Sequence, residues 1–124
     1  MATAKGKFLR EFNEAFVRGN IDFLMDNVTD NIRWEMVGDT VVEGKEAFHL
    51  ALKEMPTDVK NHELAINNII THGITAAVDG TITVTNETGE VKEYAFCDIY
   101  RWNKFKDGKI KDMRSYVVET PRTQ

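Results

Sequence analysis

An α+β domain, with helices in the first half and an antiparallel sheet in the second, follows from two periodicities in this 124-residue chain. In three segments between Phe8 and Met55, apolar residues return every three to four positions, as a helix burying one face requires. From His62 onward they return every second position, the pattern of a strand with one face in a core. Runs of strands set apart from runs of helices give segregated layers and an antiparallel sheet.

Phe8, Phe12, Ala15 and Phe16 form the apolar stripe of the first helix, and Gly19 stands where it would end. Asn20 then caps a short second helix whose apolar side carries Ile21, Leu24, Met25 and Val28. "NIRWEMVG" alternates Ile32, Trp34 and Met36 against Arg33, Glu35 and Val37, and "GDTVVEG" supplies a tight return strand. "GKEAFHLALKEMP" sets Ala47, Phe48, Ala51, Leu52 and Met55 at helical spacing, with Pro56 as the stop. Two strands follow, "HELAINNIITHG" and "ITAAVDGTITVT", turning near Gly73. In the second, Ile74, Ala76, Val78, Gly80, Ile82 and Val84 face one way and the threonines with Ala77 and Asp79 the other. "NETGE" turns into "EYAFCDIYRW", and "KDGK" turns into "IKDMRSYVVE".

The length suits one domain over residues 1–124, with 118–124 as a flexible tail. A net charge of −4 with scattered basic residues disfavours a nucleic-acid partner. No apolar run approaches the roughly 20 residues of a membrane span, and the start lacks the apolar block of a signal peptide. Cys97 is the one cysteine, which excludes a disulfide within one chain and a thiolate metal cluster and makes the cytoplasm the default compartment. There is no glycine-rich phosphate loop, and His62 and His72 have no carboxylate spacing that argues for a metal. Neither a cofactor nor a metal is expected.

Within Glu93–Trp102, alternation puts Tyr94, Phe96, Asp98, Tyr100 and Trp102 on one face, four aromatics around a carboxylate. A buried ionised acid is costly unless paired or hydrogen-bonded; otherwise its pKa rises and it stays neutral. Asp98 is therefore either an anchor for a ligand oxygen or a hydrogen-bond node closing the core, with Trp34, Tyr100, Tyr116 or Arg114 as its partners. Arg114 and Tyr116 share a face of the last strand, and a hairpin turning at "KDG" would set one of them opposite Asp98 or Tyr100. Cys97 points away from Asp98. With Ala95, Ile99 and Ala77 it makes the outer sheet face moderately apolar, which suggests a homodimer formed sheet to sheet.

"RGNIDFLMDNVTDNIRWEMVG…VEGKEAF" and "FCDIYRWNKFKDGKIKDMRSYVV" resemble the SnoaL-like branch of the nuclear transport factor 2-like superfamily, which includes ketosteroid isomerases and limonene epoxide hydrolases. The resemblance implies a cone-shaped, cystatin-like α+β fold: a strongly curved antiparallel or mixed sheet wrapped around about three helices. It also implies functional positions. The isomerase base falls on Met36, or on Glu35 if one gap is allowed; the oxyanion tyrosine corresponds to Phe12; the second acid matches Asp98. In the epoxide hydrolase pattern Ala77 replaces an arginine, Asp79 remains, and the second aspartate falls near Val118. Both catalytic sets are incomplete.

These observations predict a protein that binds a small, largely apolar molecule bearing a carbonyl or hydroxyl. Any catalysis would be cofactor-free acid–base chemistry of the isomerase, cyclase or dehydratase type. Asp98 would be the acid or base, assisted by Tyr116 or Arg114, with Phe12, Phe16, Trp34, Met36, Phe48, Leu52, Tyr94, Phe96 and Tyr100 as the ligand walls. The alternative is a non-catalytic dimerising domain with a filled core. The two differ on whether a cavity reaches Asp98.

Overall fold

The computed structural model describes residues 3–55 and 59–120. Helix α1 spans Ala4–Arg18, α2 Ile21–Asp26 and α3 Lys45–Lys53; strands are β1 Val28–Met36, β2 Thr40–Glu43, β3 Val59–His72, β4 Thr75–Asn86, β5 Val91–Trp102 and β6 Ile110–Thr120. The six strands form one curved mixed sheet in the order β2-β1-β6-β5-β4-β3. All neighbouring pairs are antiparallel except β1 with β6, which run parallel.

Local chemistry sets the ends of the helices. The Thr3 hydroxyl accepts from the Gly6 N–H at 3.0 Å and so satisfies one of the free donors that begin α1. Gly19 ends the helix at φ 72°, a left-handed conformation that only glycine adopts without strain, and its N–H returns to the Ala15 and Phe16 carbonyls. Asn20 caps α2 through Phe23 N–H at 3.3 Å. Val28, expected on α2, instead opens β1: it pairs with Ile110, and Ile110 N–H donates to Asn27 O at 3.0 Å. A short helix yields here to a sheet partner that only the end of the chain supplies.

The helices cover the inner face of the sheet. Leu9, Phe12 and Ala15 from α1, Leu24 from α2 and Phe48 with Leu52 from α3 meet Trp34, Ala76, Val78, Phe96, Tyr100, Trp102, Ile110 and Met113 from the strands. Leu9 and Phe12 are fully buried, and each such side chain contributes roughly 2 kcal/mol. Rings interlock across the layers: Phe12 lies edge-on to Tyr100 at 6.0 Å and Trp34 edge-on to Phe48 at 5.7 Å. Lys5 closes one end, its ammonium donating to Phe105 O at 2.9 Å and Gly73 O at 3.3 Å.

Two irregularities control which way side chains point. β3 carries a bulge between Ile66 and Asn68, where it crosses Gly80 of β4. A Cβ on Gly80 would lie 2.1 Å from Ala65 O, so only glycine lets the bulged strand approach. β6 is offset by one residue against β5: Trp102 pairs with Ile110, but Arg101 pairs with Asp112. The last strand runs through Thr120, past position 118 where the sequence suggested a tail, because its end still pairs with β5 at Glu93. Residues 121–124, and the expected helix stop at Pro56, lie outside the described residues.

Candidate functional site

Asp98 faces the helices from the middle of β5, with Phe96 and Tyr100 on either side along the strand, Val78 opposite on β4 and Ser115 opposite on β6. It is half-buried, between neighbours that are 6% and 1% exposed. Burial pushes its carboxyl up from 3.8 to about 6, against hydrogen bonds from Ser115 and Tyr100 that pull it down. The Tyr100 hydroxyl donates to Asp98 Oδ2 at 3.2 Å. Burial, and next the negative charge of Asp98, raise Tyr100 well above the usual tyrosine range, so this hydroxyl stays protonated.

Two further donors fix those hydroxyls. Asn13 Nδ2 on α1 donates to Leu9 O at 2.8 Å and to the Tyr100 oxygen at 3.0 Å. Trp34 Nε1 on β1 donates to Ser115 Oγ at 3.0 Å. Asn13 and Ser115 are the buried polar residues of the core, 6% and 8% exposed. Sequence reasoning passed over both. Asn13 carried a usable signal, since with Leu9, Phe12 and Phe16 it occupies the i+4 position of the α1 stripe. Ser115 carried none without the register.

Of the partners expected for Asp98, Tyr100 is its donor and Trp34 instead holds Ser115, whereas Arg114 and Tyr116 are elsewhere. Arg114 pairs with Ile99 and Tyr116 with Cys97, so both project from the outer face of the sheet, away from Asp98. If the Trp102–Ile110 register had continued, Arg114 would stand opposite Asp98. The one-residue bulge in β6 replaces it with Ser115 and turns every later side chain over. Arg114 instead approaches Glu35 at 3.6 Å, and its guanidinium is raised chiefly by a hydrogen bond with Tyr116. Arg33 joins the same outer cluster, 3.4 Å from Glu35 and 3.8 Å from Asp112. Among the described residues no ion pair involves Asp98.

The expected ligand walls fall in two groups. Phe12, Trp34, Phe48, Leu52, Phe96 and Tyr100 are buried in the core, whereas Phe16, Met36 and Tyr94 are half-buried. Past Ser115 the inner face opens: Val117, paired with Phe96, is 57% exposed. A groove of about 420 Å³ lies elsewhere, on the outer face between Asn68, Ile70, Ala77, Asp79, Cys97, Tyr116 and Val118. A smaller one of about 230 Å³ runs between α1 and β3, lined by Lys7, Arg10, Asn67 and Thr71 among others. Neither groove is lined by Asp98. Cys97 opens onto the outer groove, its thiol raised by burial and then by Asp98 and Asp79. His49, His62 and His72 are exposed. Among the described residues no helix is long and apolar enough to cross a membrane.

Residues 9–113 match the family model of the SnoaL-like domain. No curated protein matches the chain. A protein of unknown function from Cytophaga hutchinsonii, described as NTF2-like, superposes with a TM-score of 0.72 at 24% identity, over 88% of this chain and 95% of that one. An LEH-like epoxide hydrolase of M. tuberculosis gives 0.73 at 20%, over 89% and 79%. SalBIII, described as an epoxide hydrolase/cyclase-like enzyme in pyran ring formation, gives 0.74 at 20%, over 90% and 88%. At these identities the likenesses show a shared fold.

Proposed function

Because this chain belongs to the SnoaL-like domain family, we propose that it binds a small, largely apolar molecule bearing a carbonyl or hydroxyl, with Asp98 as the polar anchor. One observation carries the proposal: an acid on an aromatic inner face, pushed up to about 6 by burial, whose donors among the described residues are the uncharged Tyr100 and Ser115 hydroxyls. Among the described residues no ion pair involves Asp98, so hydrogen bonds alone offset its burial. Arg114, the candidate cation, projects from the opposite face. Around that inner face Val117 is exposed and Tyr94, Phe16 and Met36 are half-buried.

If the protein is catalytic, Asp98 transfers a proton to or from the ligand without a cofactor, in an isomerisation, cyclisation or dehydration. The epoxide hydrolase and cyclase-like neighbours support this class of chemistry only by analogy of fold. Arg114 and Tyr116 have no part in it. A thermal-shift screen of steroid-like and phenolic compounds tests the reading. Stabilisation by a ligand should vanish in Asp98→Leu, and a screen without any stabilising compound would refute the proposal.

A filled-core dimerising domain is the second reading, favoured by the two grooves, neither of which is lined by Asp98, by the interlocked rings and by the apolar outer face. Ile70, Ile99, Tyr116 and Val118 are 63%, 40%, 41% and 65% exposed there, around the small Ala77 and Ala95. We assign this face to a second copy of the chain, and light scattering at high micromolar concentration checks it. Dimerisation is compatible with either reading. A half-exposed lone cysteine also suits the reducing cytoplasm.

A further inference from the structure

The hydrogen bonds around Asp98 have a direction that their donors dictate. Leu9 O can only accept, so the Asn13 amide must present its NH₂ group there, and its second hydrogen goes to the Tyr100 oxygen. Tyr100 is thereby left to donate its own hydrogen, and Asp98 Oδ2 is the acceptor within reach. The indole of Trp34 can only donate, so Ser115 Oγ accepts from it and its hydrogen is free for Asp98, directly across the strand pair. Reversing either hydroxyl would leave a buried hydrogen without an acceptor, a loss larger than an ordinary hydrogen bond is worth.

We infer that Asn13 and Trp34 are positioning residues that aim the Tyr100 and Ser115 hydroxyls at Asp98, so that a ligand meets Asp98 alone. When the acid carries its proton, that proton is turned away from the Tyr100 and Ser115 hydroxyls, which already donate to the carboxyl from within. It points to the open side and selects a ligand with an acceptor oxygen, such as a ketone or an ether. When the acid is ionised, the same position is an acceptor and selects a hydroxyl, such as a phenol. Ligand class thus inverts with pH. This inference rests on the proposal that Asp98 contacts a ligand.

The surroundings leave this switch to Asp98. The titratable groups that share its face are Tyr100, which remains protonated, Tyr94 further along β5, and Glu119, opposite Tyr94 on β6. Asp79, Cys97 and Arg114 project from the other face, and among the described residues no ion pair involves Asp98.

Calorimetric titration of the whole protein with 2-acetylnaphthalene, an acceptor, and 2-naphthol, a donor, from pH 4.5 to 8 tests the inference. Ketone affinity should fall about tenfold per pH unit above the midpoint, because only the protonated fraction binds, while naphthol affinity rises over the same window. Asp98→Asn should bind the ketone at every pH, its amide N–H replacing the acid proton. Asn13→Leu frees the Tyr100 hydroxyl to turn toward the ketone and should flatten the pH slope; Trp34→Phe does the same through Ser115 if Asn13→Leu does not fold. A slope that persists in both variants, or wild-type binding of both probes without pH dependence, overturns the inference and leaves the ligand reading standing. Binding of neither probe at any pH overturns both.

Discussion

The elevated carboxyl of Asp98 makes a prediction about stability that requires no ligand. Its folded value of about 6 lies above the 3.8 of an unperturbed aspartate, so folding favours the protonated form. Between these two values the folded state holds a proton that the unfolded chain has released, and stability falls with rising pH. The contribution is fully present below about pH 4 and is lost as pH climbs through 6. At about 1.4 kcal/mol per unit the full shift amounts to roughly 3 kcal/mol, and contact with solvent at the half-buried side chain reduces this to about 2 kcal/mol. Asp98→Asn keeps the shape and an oxygen to accept from Tyr100 and Ser115, but it never ionises. Urea unfolding of both proteins at pH 4, 5, 6, 7 and 8 isolates the effect, since all other groups cancel in the difference. The Asp98→Asn variant should match the wild type near pH 4 and exceed it by about 2 kcal/mol at pH 8, or roughly 8 °C in Tm for a domain of this size. A difference that stays flat with pH would refute the assignment of an uncompensated acid.

Three further outcomes follow from particular contacts. Ser115→Ala leaves Trp34 Nε1 without its acceptor and should destabilise by about 1–3 kcal/mol; it should also move the Asp98 midpoint above 6, read by carbon-detected NMR. Gly80→Ala puts a methyl 2.1 Å from Ala65 O and should lose about 3 kcal/mol or more by thermal unfolding, whereas Gly89→Ala, with open space around its φ of 88°, should lose about 1 kcal/mol. Phe48→Ala empties a fully buried site against Trp34 and should cost about 3–5 kcal/mol, with a change in tryptophan fluorescence.

Whatever depends on short-range periodicity could be read from the order of residues. The α1 stripe, its stop at Gly19, the alternation of β4, and the common face of Asp98, Phe96, Tyr100 and Trp102 were all legible, because a helix or strand repeats its side-chain direction every few residues. The α+β class was legible for the same reason; the cone-shaped fold was implied by the resemblance of the quoted segments to the SnoaL-like branch. Register between distant segments emerged only on folding. Side chains alternate every residue, so one extra residue in β6 exchanged Arg114 for Ser115 opposite Asp98 and sent both expected assistants to the outer face. The parallel pairing of β1 with β6, which joins Trp34 to Ser115, likewise brings together residues 81 positions apart. No local pattern encodes that meeting; it follows from how the helices and the whole sheet pack against one another.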